Sequence, residues 1–99
     1  MTGQVERLIA AGIQIMPVDM PRHMVLERDG YVALVERTED GFGNIGSSGL
    51  MTEHGLALLI WRASQPVFVA RGFESPAEPA QVLKLRAFAA DLEAALRTG

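Results

Sequence analysis

The chain of 99 residues contains no cysteine, one lysine, two histidines and six aromatic residues. Without cysteine it can form neither a disulfide nor a thiolate zinc site, and it has no cysteine nucleophile. Its formal net charge of -3 argues against a phosphate-binding surface, so we expect it not to bind nucleic acid. These absences exclude several classes of function and identify none.

Long apolar runs are missing as well. The longest apolar run without a charged residue lies near Leu8–Val18, about half of the ~20 residues that a membrane-spanning helix needs. It is not preceded by the basic segment of a secretory signal. We therefore expect a cytoplasmic protein that does not associate with membranes.

The remaining composition is that of a folded protein. Hydrophobic residues make up 48% and charged residues 21% of the chain, which is more apolar and less charged than a disordered chain. The length is well below that at which chains divide into domains, so residues 1–99 are predicted to form a single domain.

Helical periodicity is found towards the two ends of the chain. The first helix is predicted over Gly3–Ala11, with Gly12 placed where a left-handed residue ends a helix. The second is predicted over about Pro79–Arg97, which has a clean apolar stripe. Its start is left open, because Ser75-Pro76-Ala77-Glu78 has the form of a capping box whereas Pro79 favours a start at that residue.

Between the helices the pattern is that of strands. A short strand is predicted at Ile13 and Ile15, continuing to Pro17 and Val18. The runs Met24–Arg28 and Tyr31–Arg37 are separated by Asp29-Gly30, and both of these turn residues tolerate positive φ. They therefore predict a β-hairpin.

A second hairpin is predicted from Leu56–Arg62 and Pro66–Gly72, with the turn at Ala63–Gln65. The first of these runs is almost continuously apolar, which is typical of a central strand covered on both faces.

A glycine-rich segment, Thr38–Gly49, interrupts this pattern and is predicted to be a loop. Gly41–Gly46 matches G-x-G-x-x-G, but the parallel strand-helix-strand context of a dinucleotide site is absent. The next segment, Leu50–His54, fits either one turn of helix or a strand.

Together these elements predict an α+β fold with the order α-β-β-β-(Gly loop)-β-β-α. Two locally closing hairpins favour an antiparallel sheet of about five strands, with both terminal helices packed on it.

One hypothesis for function places a site in the glycine-rich loop 41–49. Backbone amides around Gly46, Ser47 and Ser48 could hold a small anion or small molecule, with Glu53 and His54 close by in sequence. The same residues could serve a minor hydrolase, although the G-x-S-x-G context is missing.

Metal and cofactor sites are not predicted. Asp19 and His23 would share one face of a helix, but Pro17 and Pro21 prevent a helix there. No sequence motif indicates a cofactor.

The favoured hypothesis is a non-enzymatic protein-association module that forms a homodimer or binds another protein. A small open sheet has unpaired edges, and so apolar a chain has more hydrophobic surface than two helices cover. Met20 and Met24 beside the proline-rich segment, and Trp61 in a strand, are the predicted interface residues.

Overall fold

The computed structural model describes residues 2–16, 21–39, 41–53 and 55–97, which form seven antiparallel strands and two helices. Each strand pairs with its neighbours in sequence, in the order β1 to β7. The elements are α1 (Thr2–Ala10), β1 (Gln14–Met16), β2 (His23–Arg28), β3 (Tyr31–Thr38), β4 (Gly41–Thr52), β5 (Gly55–Arg62), β6 (Gln65–Ala70), β7 (Phe73–Pro76) and α2 (Pro79–Leu96). The predicted α+β class with an antiparallel sheet is confirmed, whereas five strands and two hairpins are too few.

Helix α1 lies one residue earlier than the predicted Gly3–Ala11, and Gly12 adopts the left-handed conformation expected after its end. Gly12 has φ 76°, a left-handed conformation in which glycine has no Cβ penalty. The chain then enters β1, where Ile15 lies opposite Leu26 of β2. The predicted continuation of this strand to Pro17 and Val18 lies outside the described residues.

The first predicted hairpin is confirmed. Arg28 lies opposite Tyr31, and the two turn residues Asp29 and Gly30 have φ values of 55° and 87°. Such a turn matches the twist of the strands that it joins. The Gly30 amide also donates a hydrogen bond to the Glu27 carboxylate, at 3.1 Å.

The second hairpin is present with a tighter turn than predicted. Arg62 lies opposite Gln65, so the turn consists of Ala63 and Ser64 alone. Both have positive φ, 48° and 70°, although neither is glycine or asparagine. A further strand that the sequence analysis missed, β7, pairs with β6 over Phe73–Pro76.

The glycine-rich segment is a strand and not a loop. β4 pairs with β3 from Gly41 to Leu50, and Leu50–Thr52 continues the same strand. Two register shifts, which are β-bulges, lie in the first part of this pairing. The loop prediction was wrong because pairing with β3 outweighs the low strand propensity of glycine.

β4 and β5 pair over a short distance and then diverge. The paired residues are Gly49–Thr52 and Gly55–Leu58. At Gly49 the backbones are so close that a Cβ atom would lie 1.9 Å from the Ala57 carbonyl oxygen. The first part of β4, which contains the register shifts, is not paired with the rest of β5.

Helix α2 begins at Pro79, the second of the two predicted starts. Glu78 is its N-cap, and the Glu78 amide donates a hydrogen bond to the Gln81 side chain at 2.8 Å. The alternative start was wrong, since Ser75 belongs to β7 and its sequence only resembles a capping box.

Both helices pack on the same face of the sheet, which we call the covered face. The side chains of this hydrophobic core are Leu8 and Ile13, Leu26, Ala33 and Val35, Ala57 and Phe68, and Leu85, Phe88, Leu92, Ala95 and Leu96. In the described part of the chain, no helix has the length and apolar character needed to cross a bilayer.

Polar side chains fasten the two helices to each other. Gln4 donates to the Leu96 carbonyl at 2.8 Å, and Arg7 donates to the carbonyls of Ala95 and Arg97 at 2.8 and 3.0 Å. These carbonyls have no partner within the last turn of α2, so α1 caps the end of α2.

Candidate interaction surface

The second face of the sheet, which we call the open face, is apolar at its centre. Side chains alternate along a strand, so residues next to the covered-face residues Ala57 and Phe68 point to the opposite side. On β5 and β6 these form the open-face strip, which consists of Leu56, Leu58, Ile60, Val67 and Val69. None of the described helices packs on it.

The strip is partly accessible to solvent in the single chain. Ile60 is 37% exposed, and Leu56, Leu58, Val67 and Val69 are half-buried. On β3, which β4 separates from β5, Val32 belongs to the same face and is fully buried. The strip is thus the accessible part of a larger apolar face.

The chain exposes more surface than its mass predicts. Its accessible surface is 6400 Å², against about 5500 Å² for a folded monomer of 10.7 kDa. The excess of about 900 Å² is a property of the whole surface of the chain, to which the open-face strip contributes a part.

An ion pair crosses the open-face strip. The Arg62 Nε and Glu74 Oε1 atoms are 2.9 Å apart, and their side chains are 59% and 47% exposed. Arg62 is on β5 and Glu74 on β7, so the pair spans the intervening strand β6.

The outer edges of the sheet offer less for pairing than its open face. β1 has three residues, and β7 has four and ends in Pro76. Short strands and proline are devices that protect sheet edges from pairing with another chain. The two outer strands thus have features that limit pairing at the edges of the sheet.

The predicted ligand site takes a different form from the one expected. Gly46, Ser47 and Ser48 lie in β4, where Ser48 is half-buried opposite Ala33 and the other two are exposed. Glu53 is exposed just after the strand, and His54 lies outside the described residues. An anion-binding site at these residues therefore stays a prediction, without the loop on which it was based.

A cleft lies next to this segment, where β4 bends away from β5. It has a volume of about 540 Å³ and is lined by Gly43, Asn44, Ile45, Ala89, Glu93, Leu96 and Arg97. It contains none of the predicted ligand-binding residues. The carboxylate of Glu93 and the guanidinium of Arg97, which are 3.8 Å apart, pair with each other at its exposed rim.

The three predicted interface residues are in different situations. Met24 is buried opposite Val35 and is therefore not accessible to a partner, and Met20 lies outside the described residues. Trp61 is 54% exposed. Alternation along β5 places Trp61 on the same side as Ala57 and Leu59, at the end of the covered face.

The open-face strip was missed because its residues lie in a continuous apolar run. In Leu56–Trp61, apolar residues occupy both faces of the strand, so period-two alternation gives no signal. The run was interpreted as a strand covered on both faces, but the described helices cover one.

Comparisons of the chain with protein-family models, curated proteins and solved structures found no significant match. The function is therefore inferred from the geometry.

Proposed function

We propose that this protein is a non-enzymatic protein-association module, and that it forms a homodimer by packing the open-face strip of one copy against that of a second. The observation that carries this proposal is the location of both helices on one face of a sheet that is apolar on both. Covering the second face removes its apolar surface from water.

The strip itself favours a second copy as the partner. A two-fold dimer uses the same patch on both copies, so an apolar strip meets an identical apolar strip.

The composition of the strip also fits an interface with a second copy. Its residues from Leu58 to Val67 are aliphatic, and the ion pair of Arg62 with Glu74 that crosses it carries one charge of each sign. Such a patch offers both apolar surface and complementary charges to an identical patch.

The test is the mass of the protein in solution as a function of concentration, measured by analytical ultracentrifugation. The wild-type chain is expected to be a dimer. Ile60→Glu places a charge in the middle of the strip and is expected to give a monomer that remains folded, because Ile60 is partly exposed in the single chain.

The matched control is Leu83→Glu, which introduces the same charge at a leucine that is 66% exposed on α2. This variant is expected to remain a dimer. A wild-type chain that stays monomeric at high concentration would contradict the proposal, and dissociation by Leu83→Glu would move the interface to the helices.

A further inference from the structure

We infer that Arg62 and Glu74 orient the two copies, with Arg62 of each copy lying against Glu74 of the other in a cluster of four charges at the two-fold axis. This inference rests on the proposed homodimer and specifies how its two strips meet.

The position of the ion pair follows from the register of the last three strands. Arg62 lies opposite Gln65, and Glu74 lies opposite Val69, on either side of β6. Val67 is midway between these two β6 residues and shares their face. The ion pair therefore crosses the open-face strip above Val67 instead of lying beside it.

This placement has a consequence for any partner that covers the strip. A second copy that packs on Val67 also covers part of both charged side chains and removes water from around them. Burying charges without compensating partners costs several kcal/mol. A buried charge that contacts a second opposite charge recovers part of the interaction that it loses with water.

Two-fold symmetry supplies such partners. In an isologous interface the same patch of both copies is in contact, so residues close to the two-fold axis lie near that patch of the second copy. An arrangement that brings Arg62 close to Arg62 of the second copy is repulsive, whereas one that brings it close to Glu74 of the second copy is attractive. Like-charge contacts of this kind select between arrangements that bury similar apolar area.

The experiment uses two variants with opposite charge. In Arg62→Glu, residues 62 and 74 are both acidic, and in Glu74→Arg both are arginine. Each variant alone is expected to dimerise more weakly than wild type, by about tenfold or more, because like charges face each other across the axis. Mixed in equal amounts, they are expected to form heterodimers well above the half that random pairing gives.

Native mass spectrometry measures this distribution, since the two variants differ in mass. The double variant Arg62→Glu/Glu74→Arg, which exchanges the two charges within one chain, is expected to dimerise as wild type does. The preference for heterodimers is expected to weaken as salt is raised, because ions screen exposed charges.

The outcomes distinguish this inference from the homodimer proposal on which it rests. A wild-type dimer whose two variants mix at random would show that the ion pair lies away from the axis, so the inference would fail while the homodimer stood. A monomeric wild-type chain would remove both.

Discussion

The two faces of the sheet are made by the same strands and differ in what covers them. On the covered face, Leu26, Ala33 and Val35 are buried beneath the helices. On the open face, Leu58 and Ile60 are as apolar but keep part of their surface in water. The difference shows that an apolar strand is not necessarily covered on both faces by its own chain.

The covered face should dominate the stability of the single chain. We expect Leu92→Ala to lower the free energy of unfolding by about 2–5 kcal/mol, because Leu92 is fully buried between α2 and the sheet and leaves a cavity. Urea denaturation, followed by circular dichroism, measures the change. Leu83→Ala on the exposed side of α2 is the control and should change stability by less than about 0.5 kcal/mol. Equal losses in the two variants would mean that α2 does not pack as described.

The open face contains one position that should be almost as sensitive. Gly49→Ala places a Cβ atom 1.9 Å from the Ala57 carbonyl oxygen, so β4 and β5 must separate. We expect a loss of about 1–3 kcal/mol in the same denaturation experiment.

Gly46→Ala is the matched control in the same strand. Its Cβ atom would be 3.4 Å from the Leu34 carbonyl oxygen, an ordinary contact, so we expect a change below about 1 kcal/mol. If Gly46→Ala were the more harmful of the two, β4 would not approach β5 at Gly49.

The smallest expected effect distinguishes the two faces in the dimer. Trp61 is the one tryptophan in the chain, and it lies at the end of the covered face. If the open faces pack together, acrylamide should quench its fluorescence equally in dilute monomer and concentrated dimer. Protection of Trp61 in the dimer would instead support the sequence-based prediction that it is an interface residue.

The parts of the fold that sequence predicts correctly are those with a local chemical cause. Asp29-Gly30 predicted a hairpin because both residues adopt positive φ at little cost, and both do so. Gly12 likewise follows the first helix as predicted, and Pro79, one of the two predicted starts, begins the second.

The errors arise where a partner in three dimensions overrides local preference. β4 contains four glycines on its first nine residues, and their strand conformation depends on pairing with β3. The turn predicted at Ala63–Gln65 is one residue shorter, and the positive φ of Ala63 and Ser64 is imposed by the hairpin that they close. β7 is too short for its pattern to stand out.

The position of the candidate surface was not predictable from the sequence. Association stays a prediction, and the structure shows only that an apolar strip is accessible. Placing it required knowing that both helices lie on one face, which depends on contacts such as Leu8 with the core around Leu92. These contacts join distant parts of the chain, and the spacing of apolar residues within either helix does not indicate them.

The meander also bears on how the chain folds. Every strand pairs with its neighbour in sequence, so each pairing closes a short loop and should form quickly. The contacts of Gln4 and Arg7 with the end of α2 span 92 and 88 residues. We therefore expect α1 to dock late and to be among the first parts to open under native conditions, because its attachment depends on the rest being in place.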